Sequence, residues 1–218
     1  MSLAIFDLDN TLIGGDSDYL WGEFLVKNQL IDADEYRRAN ERFYEQYQNG
    51  DLDIFEYQTF SLKPLTLHSM QQLQAWHNEF MREMIEPIML PQAQALIESH
   101  RSQGHRPLII TATNTFITRP IAEKLGINEL IGTEPEVHEG RFTGRVAGVP
   151  SFQQGKVTRL ADWLKQHDES LEDSYFYSDS HNDLPLLEQV SYPIAVDADP
   201  RLTQVAKEKG WKQMSLRG

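Results

Sequence analysis

Residues 4–12 read AIFDLDNTL, an apolar run that ends on two carboxylates, Asp7 and Asp9, two residues apart. Ala4, Ile5 and Phe6 have the composition of a buried strand, and side chains two apart on extended backbone point the same way, so both acids are expected to face one spot. At roughly 6 Å and an effective dielectric near 20, such a pair repels by about 3 kcal/mol, worth about two pKa units on one of them. A bound cation, a shared proton or exposure to solvent would offset that cost. The stretch by itself does not choose among them.

Outward from this run, residues 18 to 84 follow a helical pattern, with Leu20, Trp21, Phe24 and Leu25, then Met70, Leu73, Trp76, Phe80 and Met84 at helical spacing. Asn49-Gly50 and Lys63-Pro64 break it into three or four helices. The texture then changes. Short apolar runs at 107–110, 130–131, 175–177 and 193–196 alternate with helices expected near 91–103, 116–125 and 155–167. Strands alternating with helices imply an α/β fold, a Rossmann-like parallel sheet with helices on both faces. EVHEGRFTGRV, residues 136–146, reads instead as a β-hairpin turning at Glu139-Gly140 and laid beside the sheet. The expected organisation is an α/β core, residues 1–15 and 86–218, interrupted by a helical cap, residues 16–85. Ligands of open α/β sheets bind outside the carboxyl ends of the strands, so an insertion there would lie over the crevice as a lid.

Composition narrows the possibilities. The 218 residues, 40% hydrophobic and 24% charged, suit a globular chain. No apolar stretch approaches the ~20 residues of a membrane span, and the start lacks a signal-peptide layout, so a soluble cytoplasmic protein is expected. The absence of cysteine excludes disulfides, a zinc ribbon and thiol catalysis. A net charge of -13 with no basic stripe argues against a nucleic-acid partner. Residues 16–84 hold 13 acidic and 6 basic side chains and are the more acidic part, either as solvated helix faces or as a field that favours cationic ligands.

Two more apolar runs finish like the first: PLIITATN at Thr111 and YFYSDSHND at Asp179. If their strands are neighbours, Asp7, Asp9, Thr111, Asp179 and Asp183 converge on one crevice. Four carboxylates without an arginine call for a hard divalent cation, and Mg²⁺ takes one or two carboxylates with waters and phosphate. No histidines cluster there, which counts against zinc. Lys156, at the start of the helix in QQGKVTRL, adds a mobile cation at the rim. With the Thr111 hydroxyl, these groups can surround a tetrahedral phosphoryl group. His181 is read as a loop side chain, and the Trp and Phe residues of the insertion as its own core.

The order DLDNTL, an apolar run ending in Thr, a Lys, then a run ending in D-x-x-x-D resembles the four motifs of the haloacid dehalogenase-like hydrolase superfamily, and the helical insertion resembles its phosphoserine phosphatase-like subgroup. The resemblance implies a Mg²⁺-dependent phosphatase of small phosphomonoesters. In it Asp7 is the nucleophile that forms an aspartyl-phosphate, and Asp9 the acid that protonates the leaving oxygen and later deprotonates water. It assigns Thr111 and Lys156 to phosphoryl oxygens, and the metal to Asp7, the backbone of Asp9, and Asp179, with Asp183 near the metal waters. Asn182 orients the site, and Asn114 is counted with Asn182 among the substrate-binding residues.

In that subgroup a carboxylate shortly after the first motif meets the substrate amine, and Asp16 falls there. A cap arginine grips the substrate carboxylate, yet no arginine occurs between Arg42 and Arg82, and Lys63, the one cation in DIFEYQTFSLKPL, lacks the bidentate fork. An acidic cap without that arginine suits an ester bearing an amine but no carboxylate, which sets L-histidinol phosphate ahead of O-phosphoserine. Phosphoryl transfer to another acceptor, a receiver-type signalling domain, and a non-catalytic Mg²⁺-binding or interaction protein are the alternatives. A receiver domain does not carry such an insertion after its first strand.

Overall fold

The apolar runs become strands because each is buried on both faces, which only a sheet sandwiched between helices provides. The computed structural model describes residues 2–218. Strands β1 (Leu3–Phe6), β2 (Arg106–Asn114), β3 (Leu130–Thr133), β6 (Tyr175–Ser178), β7 (Tyr192–Val196) and β8 (Lys212–Met214) form one parallel sheet in the order β3-β2-β1-β6-β7-β8. Alternation within β1 divides the core. Ala4 and Phe6 face the layer that holds α5 (Pro91–Ser102) and α6 (Thr115–Lys124). Leu3 and Ile5 face the layer of α7 (Gln154–His167), α8 (Leu184–Leu187) and α9 (Pro200–Lys209).

The strand order reverses at β1. The chain moves outward through β2 and β3, returns to pair β6 with β1, and moves out the other way. Such a switch point opens a crevice at the carboxyl ends of the two central strands. The segments that leave β1 and β6 there carry Asp7 and Asp179.

Between β1 and α5 lie α1 (Ser17–Lys27), α2 (Ala33–Asn49), α3 (Ile54–Leu62) and α4 (Met70–Phe80). Asp16, Asp32 and Asp53 cap the first three, and Ser69 with Gln72 closes a capping box on the fourth. Part of this segment's acidity is therefore helix capping, worth about 1 kcal/mol per cap. Its aromatic core is Trp21, Phe24 and Phe80, whose rings lie 5.2 to 5.9 Å apart, whereas Phe55 is exposed. Gly22 has no Cβ because Tyr36 packs there: a Cβ would lie 2.0 Å from the Tyr36 hydroxyl.

Three expectations change. β2 does not stop at Thr111 but runs to Asn114, because β3 continues to pair with it through a register shift. The hairpin forms as β4 (Pro135–His138) and β5 (Arg141–Val146), turning at Glu139 and Gly140, both at positive φ. It is a separate sheet, packed on α3 and the Lys63–Leu67 turn rather than laid beside the main sheet. Beyond the elements expected stand α9, which buries Leu202 and Ala206, and β8, a mostly exposed edge without an apolar run. Among the described residues, no helix is long and apolar enough to cross a membrane.

Candidate active site

β1 ends at Phe6, so Asp7 and Asp9 lie on the turn beyond it, which reverses through Asn10 at positive φ. The Asp7 amide still donates to Tyr177 O of β6, 2.9 Å away, which fixes the first carboxylate at the switch point. The two acids then diverge. Asp7 Oδ1 takes Lys156 Nζ at 2.8 Å. Asp9 Oδ1 accepts from the Ser17 amide at 2.6 Å, and its Oδ2 from the hydroxyls of Thr113 at 2.9 Å and Thr111 at 3.3 Å. Their repulsion is offset by a lysine on one and three hydrogen-bond donors on the other.

Lys156 is a correction. It is not a mobile charge at the rim but 3% exposed, clamped between Asp7 and Asp183. The first turn of α7 carries it inward. Burial alone would push its ammonium down, but the carboxylates of Asp183 and Asp7 outweigh that and hold it above the ordinary lysine range. Asp7 is pushed up to about 7, by burial first, against the pull of Lys156 and with the charges of Asp183 and Asp9 adding to it. Asp179 is raised well above the carboxylate range by burial and by Asp7 and Asp183. The crevice is short of positive charge.

The carboxylate of Asp183 holds Lys156 at 2.7 and 2.8 Å and accepts the Ser178 hydroxyl at 2.7 Å. Asp7 and Asp179 are drawn together through a residue that sequence reading passed over. Thr11 Oγ1 lies 3.4 Å from Asp7 Oδ2 and 3.3 Å from Asp179 Oδ1, and accepts the Asp179 amide at 3.2 Å. Among the described residues, no three His, Asp or Glu side chains form a ready-made metal cage. Two neighbouring, charge-starved carboxylates with only oxygen donors around them fit a hard cation that keeps most of its waters.

The outer residues divide. Asp16 is exposed and caps α1, its Oδ1 accepting the amides of Asp18 and Tyr19 at 2.9 Å. Asn114 is fully buried and caps α6 through the Ile117 amide at 3.3 Å, which gives it a structural task at the far end of β2. Asn182 ties the crevice to the insertion: Nδ2 donates to Tyr47 O at 3.1 Å, and Oδ1 accepts from Gln153 at 2.8 Å. Around it, Tyr47 donates to Ser180 at 2.9 Å and Arg201 to Asn49 O at 3.1 Å. The last turn of α2 has no basic residue of its own, so groups beyond the insertion satisfy its carbonyls. His181 is not in an irregular loop but opens the 3-10 turn His181–Asp183, where Asp199 at 2.9 Å and Arg201 at 3.1 Å engage its ring nitrogens.

Thr113 was legible, since it lies two residues from Thr111 on the same strand and so points the same way. Asp18 was not. It is 4% exposed in α1, bound by Tyr57 at 2.6 Å and Ser61 at 2.9 Å from α3, and pushed up to about 6, chiefly by burial. Lys63 is exposed and Arg42 pairs with Glu56 at the surface, so neither turns a cation into the crevice.

Residues 4–188 match the family model described as haloacid dehalogenase-like hydrolase. The chain is 47% identical over 220 residues to a histidinol-phosphatase of Neisseria meningitidis serogroup C, covering 99% of both. A solved structure from Bordetella pertussis Tohama I, described as a protein with unknown function, superposes with a TM-score of 0.92 at 45% identity, covering 99% of this chain and 98% of that one. A substrate-bound phosphoserine phosphatase shares the fold, with a TM-score of 0.68 at 19% identity over 100% of this chain and 93% of that one. With the six-stranded parallel sheet and its carboxylate-lined switch point, these likenesses establish that the chain belongs to the haloacid dehalogenase-like hydrolases, as a phosphatase of small phosphate esters.

Proposed function

We propose that this phosphatase hydrolyses a small amine-bearing phosphomonoester, L-histidinol phosphate ahead of O-phosphoserine, by passing the phosphoryl group to Asp7. The observation that carries the chemistry is the Lys156–Asp7 contact at 2.8 Å in a buried crevice. The ammonium opposes the burial that raises Asp7 and draws the ionised form toward itself, so an Asp7 oxygen can attack phosphorus while the ester oxygen departs. Lys156 has three N–H donors, facing Asp7 Oδ1 and both oxygens of Asp183, and a phosphoryl oxygen would take one of them in exchange for a contact to Asp183. The long Thr111–Asp9 bond of 3.3 Å is readily exchanged for a phosphoryl oxygen.

Asp9, oriented by Ser17 and Thr113, donates a proton to the leaving oxygen and then takes one from the water that cleaves the aspartyl-phosphate. Asp7 and Asp179 would hold Mg²⁺, which when bound supplies positive charge to the phosphoryl oxygens. The helical segment 16–85 acts as the cap, and its bonds to Asn182 and Arg201 hold it against the core.

For the substrate, the 47% identity to a histidinol-phosphatase and a cap without an inward cation both favour an ester lacking a carboxylate. Measuring kcat/KM with Mg²⁺ on both esters tests this, and preference for O-phosphoserine overturns it. Asp7→Asn should lower turnover of either ester by about 10³-fold or more. Full activity in that variant would remove Asp7 from the nucleophile's place.

A further inference from the structure

Gln58 stands on α3 in the cap and is 1% exposed, unusual for a glutamine. Its Nε2 lies 3.4 Å from Ala112 O. Ala112 sits between Thr111 and Thr113, the two residues whose hydroxyls reach Asp9, so the amide head of Gln58 meets β2 at the residue between them. That contact also fixes which end of the amide is which, because a carbonyl accepts only from the NH₂ group. The other end, Oε1, is buried and has no hydrogen-bond partner among the described residues.

A structural task does not account for this side chain. Ala112 O already accepts the Thr133 hydroxyl at 2.8 Å, so the longer bond from Gln58 satisfies nothing that would otherwise be left unpaired. An apolar residue of the same size would fill the position without burying a lone acceptor. The amide is nonetheless held in place. Its neighbour Tyr57 and, one turn on, Ser61 both bond the buried Asp18 of α1, which fixes α3 against α1.

We infer that Gln58 is a specificity-determining residue of the cap, whose Oε1 accepts a hydrogen bond from an N–H donor on the leaving group of the ester. Because the acceptor is neutral, it serves a protonated amine and an uncharged ring N–H alike, and it offers nothing to a carboxylate. This rests on the phosphatase reading and deepens it: Asp7 and Lys156 take the phosphoryl end common to all substrates, and Gln58 distinguishes what is attached to it.

The test compares kcat/KM for L-histidinol phosphate, whose leaving group carries N–H donors, with that for phenyl phosphate, whose leaving group carries none. The ratio is taken in the wild type, Gln58→Leu and Gln58→Glu, with Mg²⁺ present. Loss of one neutral hydrogen bond lowers the ratio in Gln58→Leu by about 3- to 10-fold. Gln58→Glu retains an acceptor oxygen and keeps the ratio at or above the wild-type value. A ratio unchanged within twofold in Gln58→Leu overturns the inference, whether both activities stay or fall together. So does an equal fall in Gln58→Glu, or a Gln58→Leu protein that does not fold by circular dichroism, since the amide would then be structural. A wild type inactive on both esters would instead overturn the phosphatase reading, and this inference with it.

Discussion

Asp18 gives the most quantitative check on the electrostatics of this molecule. Its carboxylate is buried between α1 and α3, and its partners there are the hydroxyls of Tyr57 and Ser61 rather than a cation. Burial, the largest cause, pushes it up to about 6 from 3.8; the two hydroxyls oppose the shift and the charge of Asp9 adds to it. A carboxyl raised on folding binds its proton more tightly in the native than in the unfolded state. Its contribution to stability is therefore fully present below pH 3.8 and is lost as pH rises through 6. Integrating proton binding between pH 4.5 and 7.5 gives about 2 kcal/mol for this one group.

Asp18→Asn removes the titration while keeping one acceptor for Tyr57 or Ser61. Urea unfolding of the wild type and of Asp18→Asn at both pH values measures the difference. The stability of Asp18→Asn relative to the wild type should be about 2 kcal/mol more favourable at pH 7.5 than at pH 4.5. Every other titrating group cancels in that comparison. A relative stability that is the same at both pH values, or that moves the other way, refutes the claim that Asp18 is buried as an unpaired acid.

Lys156→Met strips the shared cation from Asp7 and Asp183. It should cost about 3–5 kcal/mol at pH 8 in urea melts, and less at pH 5 where the orphaned carboxylates take up protons, with hydrolysis lost throughout. Asp179→Ala should raise the Mg²⁺ concentration for half-maximal turnover by about 10-fold or more, read from metal titrations of activity; an unchanged value would move the metal away from Asp179. Gly22→Ala puts a methyl group 2.0 Å from the Tyr36 hydroxyl. It should destabilise by about 1–3 kcal/mol in thermal melts, whereas a neutral result would mean that Tyr36 swings away without penalty.

The local pattern of the chain determined a good deal. Alternation of short apolar runs with helical stretches identified the parallel sheet and the inserted helices, because a strand buried on both faces must be apolar throughout. The spacing within DLDNTL, together with Thr111, Lys156 and Asp179, singled out residues that the fold does bring to one crevice, since each follows a run whose strand order is limited to few topologies. What the sequence could not decide was the direction of each side chain once assembled. Asp7 and Asp9 were expected to repel across one spot, yet the turn after Phe6 sends them to different partners. Lys156 was expected as a mobile cation at the rim, yet the first turn of α7 carries it inward between Asp7 and Asp183. Asp18 and Gln58 carry no signal of their own, because their importance arises from contacts 39 and 54 residues away in sequence, and Thr11, although within DLDNTL, meets Asp179 only across 168 residues. Such contacts exist only after the chain has closed, and it is there that burial, by excluding water, converts ordinary carboxylates, a lysine and an amide into groups with a defined task.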